Sequence, residues 1–241
     1  MDANNSEGEA AKLARVVAAR MKLRDRFVAE SHATPSMADP KPLGSGSLNR
    51  HGMPQLPVDQ VSTKKWPVLD LGAQPQVALE RWKLVIDGAC TRPLALDWKA
   101  FKALDQTDDI SDFHCVTKWS RFAVPWRGVR VADVIAAVEP HDEARFVMFH
   151  GYDGYTHNVP LSAAIQADVL LVHTADHKPL AIEHGGPVRV ITPQLYAWKG
   201  AKWVSRIELM TVVKRGFWEE RGYSNTAYPW RNDRYAAPPR T

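Results

Sequence analysis

The chain has 241 residues, 45% of them hydrophobic and 24% charged, with a net charge of +4. That length and balance suit a soluble globular protein of one large domain or two small ones. Basic residues are interspersed with acids, which reads as a mixed solvated surface rather than a nucleic-acid-binding face. No stretch is apolar and long enough to span a bilayer, and the acidic, polar start carries no secretory pattern, so the expected location is cytoplasmic. Nine tryptophans and seventeen prolines predict a loop-rich fold.

In chain order, residues 9–30 predict an amphipathic basic helix, with Leu13, Val16, Val17 and Met21 at helical spacing. Residues 1–31 form an arm on this reading. Residues 32–60 are rich in Pro, Gly and Ser and predict a linker or extended arm. Residues 61–241 are the main domain. A strand is expected over 82–88, and helices over 94–104, with Asp97 available as cap, and over 129–138. Short strands are expected at 145–150, 169–173, 187–192 and 204–213. Residues 216–241 predict a strap held by Trp218, Tyr223, Tyr228, Trp230 and Tyr235. Helices and strands do not alternate regularly, which points to an α+β fold with mixed, largely antiparallel sheets.

Four segments could carry chemistry. Cys115 lies among His114, Lys118 and Arg121, and nearby positive charge favours a thiolate, the form that attacks electrophiles or binds soft metals. With Cys90 the only other cysteine, a four-cysteine zinc site is excluded. The run from His184 through Gly185, Gly186 and Pro187 to Arg189, followed by Lys199 and Lys202, presents open glycine backbone and cations. It suits an anionic group such as a phosphate, or else a solvated surface turn. Tyr155, Thr156, His157 and Asn158 follow an Asp-Gly turn and could line a pocket or face water. His173 and His177 are four apart, but a strand-like approach and Pro179 place them in a loop, which disfavours zinc. There is no dinucleotide fingerprint and no P-loop.

The Cys115, His184-to-Arg189 and Lys199-to-Lys202 segments, in this order and spacing, resemble the sulfite oxidase-like molybdopterin proteins. The ending from Gly216 to Tyr223, with Tyr228, Pro229 and Trp230 after it, is similar to their small, single-domain bacterial branch. The resemblance covers about Trp66 to Tyr235. It implies a sulfite oxidase-like molybdopterin-binding fold, a molybdenum bound by one molybdopterin and by Cys115, and two-electron oxygen-atom transfer. His184, Arg189, Lys199 and Lys202 match positions that hold the pterin and its phosphate, and Thr156 and His157 face the cofactor on the same reading. Tyr155 matches a tyrosine of the metal pocket. The implied partners are a small-molecule oxo donor or acceptor and a separate electron-transfer partner. A convincing counterpart of the family's sulfite-binding arginine motif is not found ahead of the domain, where Asn49, Arg50 and His51 stand at the wrong distance from Trp82, and the haem and C-terminal dimerisation domains of the larger enzymes are not expected here. The alternatives are a pterin carrier without turnover and a metal-free enzyme with Cys115 as nucleophile.

Overall fold

In the computed structural model, residues 3–30 and 41–236 are described, with side chains from residue 8 in the first segment. The expectations at 1–2, 31–40 and 237–241 lie outside the described residues. The elements are α1 (Ala3–Glu30), β1 (Gly44–Leu48), β2 (Pro54–Pro57), β3 (Val61–Ser62), β4 (Lys83–Gly88), β5 (Leu94–Asp97) and α2 (Trp98–Ala103). They continue with β6 (Thr107–Cys115), β7 (Trp119–Arg130), α3 (Val131–Ala137), β8 (Phe146–Gly151), β9 (Thr156–Pro160) and α4 (Leu161–Ala164). The last are β10 (Leu170–Ala175), β11 (Lys178–Pro179), β12 (Arg189–Ile191) and β13 (Val204–Met210).

Two main sheets result, and the fold is α+β with mixed, largely antiparallel pairing. One sheet runs β5-β4-β13-β8-β9, and its only parallel pair is β4 with β13. The other is built on β7, which pairs with β6 and β10 antiparallel and with β3 parallel, while β12 extends it through β10. The larger core holds Trp82, just ahead of β4, Leu84 and Ile86 from β4 and Phe101 from α2, with Val134 and Ile135 from α3. A smaller core is formed by side chains of β6, β7 and β10 in the second sheet, Phe113, Cys115, Trp119, Trp126 and Leu170.

Two helical expectations are shortened. Leu94 to Asp97 is a strand paired with β4, and α2 starts only at Trp98, where the Asp97 carboxylate accepts from Ala100 N at 2.7 Å. Val129 and Arg130 belong to β7, paired with Leu171 and Leu170. In both places an apolar run serves sheet and helix in turn, and periodicity alone does not mark the switch. The described part of the linker, 41–60, is not free-running. Its β1–β2 hairpin is tied to the domain by Leu43 N to Trp230 O (2.7 Å), Trp230 Nε1 to Pro54 O (2.5 Å) and a bidentate Arg50–Asp109 pair.

Candidate active site

Cys115 ends β6, and a three-residue loop turns the chain into β7, so that Cys115 and Trp119 are register partners. The turn is closed by Lys118 N to Cys115 O (3.2 Å), with Lys118 at φ 70°. Such a loop commonly carries Gly or Asn at its left-handed position, and Lys118 in that role hides the hairpin from sequence inspection. The loop is clamped from outside. Gln60 Nε2 donates to Cys115 O at 3.1 Å and Arg234 Nε to Val116 O at 3.2 Å. The sulfur itself is 3.1 Å from Thr117 Oγ1.

The positive setting expected from His114, Lys118 and Arg121 is not what surrounds the thiol. His114 points to the other face of the strand, where Nδ1 meets Ser120 Oγ at 2.8 Å and the ring packs on Trp230. Lys118 pairs with Asp59 at 3.0 Å, and Arg121 with Asp176 at 2.7 Å. Alternation along β6 separates His114 from Cys115. Burial pushes the Cys115 thiol up, against the opposing pull of the Thr117 hydrogen bond and of Arg20 and Arg234. A free thiol here is protonated, and a thiolate needs a bound cation to stabilise it.

Cys115 opens into a cleft of about 800 Å³, part of it open to solvent. Cys115, Tyr155, His184, Arg189 and Lys202 all line it, brought together from separate parts of the chain. β12 carries Arg189, a 3_10 turn over Ile182–His184 carries His184, and Lys202 precedes β13. Trp66 lies between them. Its ring stacks on His184 at 3.9 Å and 8°, and the Arg189 guanidinium sits 5.7 Å from it and 5.1 Å from Phe113.

Arg189 is 3% exposed. All its hydrogen bonds go to carbonyls, of Val190, His184 and Gly200, and no carboxylate among the described residues pairs with it. Burial lowers it to about 10, still charged at neutral pH. Lys202 Nζ donates to Glu183 O at 2.6 Å, and burial and then Arg189 bring it down to about 8. Burial and the same two cations lower His184 to about 4, so its ring is neutral. Burial raises Asp153, also on the wall, to about 6. Tyr155 Oη donates to Trp198 O at 2.5 Å, and burial raises the phenol well above its usual range.

Three expected site residues do not line this cleft. Lys199 is fully buried, pairs with Glu219 at 2.5 Å and donates to Asn158 O and Oδ1. His157 is fully buried, stacked on Phe149, with both ring nitrogens unpartnered. Thr156 is on β9, paired with His150. Period-2 alternation sends Tyr155 and Thr156 to opposite sides. Nor do Gly185 and Gly186 offer open backbone. A Cβ on Gly185 would lie 2.9 Å from Lys202 Cβ, and one on Gly186 would lie 2.2 Å from Leu180 O. These glycines let the chain pack on itself. His173 bonds Lys102 and Gln106, and among the described residues no cluster of His, Cys, Asp and Glu could hold a metal by itself. Trp66, Asp70, Asp153, Trp198 and Arg20 also line the cleft, although the sequence alone assigns none of them a site role.

Residues 71–218 match the family described as oxidoreductase molybdopterin binding domain. The chain belongs to this family. It is 36% identical over 182 residues to the uncharacterized oxidoreductase YuiH of Bacillus subtilis (strain 168), covering 75% of this chain and 92% of that one. The catalytic subunit of the protein-methionine-sulfoxide reductase MsrP of Campylobacter jejuni is 27% identical over 157 residues, 58% of this chain and 52% of that protein. Mitochondrial sulfite oxidase of Drosophila melanogaster is 32% identical over 108 residues, 41% of this chain and 19% of that enzyme. Among solved structures, sulfane dehydrogenase SoxCD from Paracoccus pantotrophus shares the fold, with TM-score 0.54 and 18% identity, over 58% of this chain and 41% of the other.

The family's cofactor is molybdopterin with molybdenum, and the cleft suits it. A soft sulfur donor sits at one side, a buried cation without a counterion stands beside it, and the indole N–H of Trp198 on the wall is buried without a partner. Among the described residues no helix is long and apolar enough to cross a membrane.

Proposed function

We propose that this protein is a molybdenum-dependent oxidoreductase that transfers an oxygen atom in a two-electron reaction, with Cys115 as the protein ligand of the metal. The observation that carries this reading is the uncompensated Arg189 guanidinium in the wall of the cleft that Cys115 also lines. A buried cation without a carboxylate is costly unless an anion completes it, and the anionic end of the pterin does so. The bound cofactor supplies the electron and oxygen chemistry, and the protein supplies binding, orientation and electrostatics. Arg189 and Lys202 would hold the anionic end, His184, stacked on Trp66, would line the pterin's place, and the Gln60 and Arg234 clamps fix the Cys115 loop. Tyr155 orients the substrate oxygen once its hydroxyl leaves the Trp198 carbonyl. Thr156, His157 and Lys199 support this wall from behind. The substrate is a small oxo donor or acceptor, and electrons pass to or from a separate partner.

A cysteine-nucleophile mechanism finds less support. Among the described residues no histidine bonds the Cys115 sulfur, and burial keeps the thiol protonated. Metal and pterin analysis of protein made in a cofactor-competent host, wild type beside Cys115→Ala, tests the proposal. The expected result is molybdenum and pterin in the wild type and loss of turnover in the variant. Wild-type protein that carries neither, yet is active, refutes it. A folded, pterin-loaded protein inert toward sulfoxides, N-oxides and sulfite with dye donors and acceptors would instead be a carrier.

A further inference from the structure

The α1 helix contributes no strand to the sheets, yet it reaches the cleft. Leu13, Val17 and Met21 pack against the larger core. Arg24 Nη1 donates to Arg221 O at 2.9 Å, and the Phe27 ring meets Tyr235 at 5.2 Å between centroids. These positions recur every three or four residues and define one inward face. Arg20 belongs to that face and lines the cleft with Cys115, Trp198 and Tyr223.

Arg20 differs from the other cations around the sulfur. Arg189 spends its donors on three carbonyls, Lys202 donates to Glu183 O, and Arg234 donates to the carbonyls of Val116 and Asp59. Arg20 makes no hydrogen bond or ion pair among the described residues. It is half-buried on an apolar helix face, and its charge reaches Cys115. An arginine placed there with a free planar fork of five donors fits a tetrahedral oxyanion with two or more oxygens to share.

We propose that Arg20 is an anion-binding residue of the Cys115 cleft, through which α1 contributes directly to the site. The oxyanion is either the phosphate of the pterin or a free oxyanion substrate. This rests on the cleft being the cofactor and substrate site, and it assigns to the N-terminal arm a part in the chemistry that the sheet domain does not supply alone.

The test uses the full chain from a cofactor-competent host. Arg20→Gln keeps most of the stem that packs on the core and removes the charge; Arg20→Lys keeps the charge and removes the fork; Arg15→Ala removes an exposed cation from the same helix. Two readouts are taken, pterin and molybdenum per chain, and the affinity of the protein for inorganic sulfate by calorimetry. If the anion is a free substrate, Arg20→Gln weakens sulfate about tenfold with pterin content unchanged, and Arg20→Lys recovers part of it. If it is the pterin phosphate, pterin content falls about tenfold in Arg20→Gln. Arg15→Ala changes neither. Unchanged pterin and unchanged sulfate affinity in Arg20→Gln overturn the proposal, as does an equal effect of Arg15→Ala. Wild-type protein without molybdenum or pterin removes the cofactor reading of the cleft, while the sulfate titration still decides the role of Arg20.

Discussion

Arg189 and Lys199 are two buried cations ten positions apart, and the molecule treats them in opposite ways. Lys199 has a carboxylate at 2.5 Å, from Glu219, and two acceptors on Asn158. Arg189 has only carbonyls. A buried charge that the fold pairs internally is part of the fold, whereas one left without a counterion beside an open cleft awaits a ligand. The difference separates a cation paired within the fold from one left open to a ligand, in a stretch where the sequence shows only basic residues near glycines.

Breaking the internal pair has the largest expected effect on stability. Glu219→Leu strands the Lys199 charge in the core and costs about 3–5 kcal/mol in urea unfolding; a cost below about 1 kcal/mol would erase the contrast. Arg189→Met orphans three carbonyls and costs about 1–3 kcal/mol, yet lowers pterin content about tenfold or more. Pterin content equal to wild type would show that Arg189 too is structural. A third prediction concerns pH. Asp153 becomes an anion above about 6, and Lys202 loses its charge above about 8. Both changes make the cleft more negative, so sulfate affinity measured by titration falls as pH rises, with steps near those values. In apoprotein the depressed Lys202 value means that the unfolded state holds more protons between about 8 and 10.5, so this group's contribution makes stability rise with pH over that window. The smallest effect is expected at the two cations flanking Cys115 in sequence. Lys118→Ala breaks an exposed pair with Asp59 and Arg121→Ala a half-buried pair with Asp176; each costs about 1 kcal/mol or less and leaves pterin content unchanged.

The sheet strands at 83–88, 146–151, 170–175 and 204–210 were legible because apolar runs bounded by turn residues carry their own signal. The β6–β7 hairpin was not, since its turn is built on Lys118 at positive φ and its bulged register interrupts the alternation. The cleft was legible where chemistry is concentrated in short motifs. Cys115, His184, Arg189, Lys202 and Tyr155 converge on it. Which basic residue of a motif faces inward to a carboxylate and which faces the cleft depends on partners far away in the chain, as Lys199 with Glu219 shows. Arg20 was hidden for the same reason: its helix was legible as amphipathic, but the place where the helix docks was not.

The central claim is that the Cys115 sulfur binds molybdenum in this cleft. X-ray absorption at the molybdenum edge, on wild-type protein and on Cys115→Ala loaded in the same host, examines that bond directly. One sulfur neighbour fewer is expected around the metal in the variant. Identical sulfur coordination in the two proteins, or wild-type protein that binds no molybdenum, would contradict it.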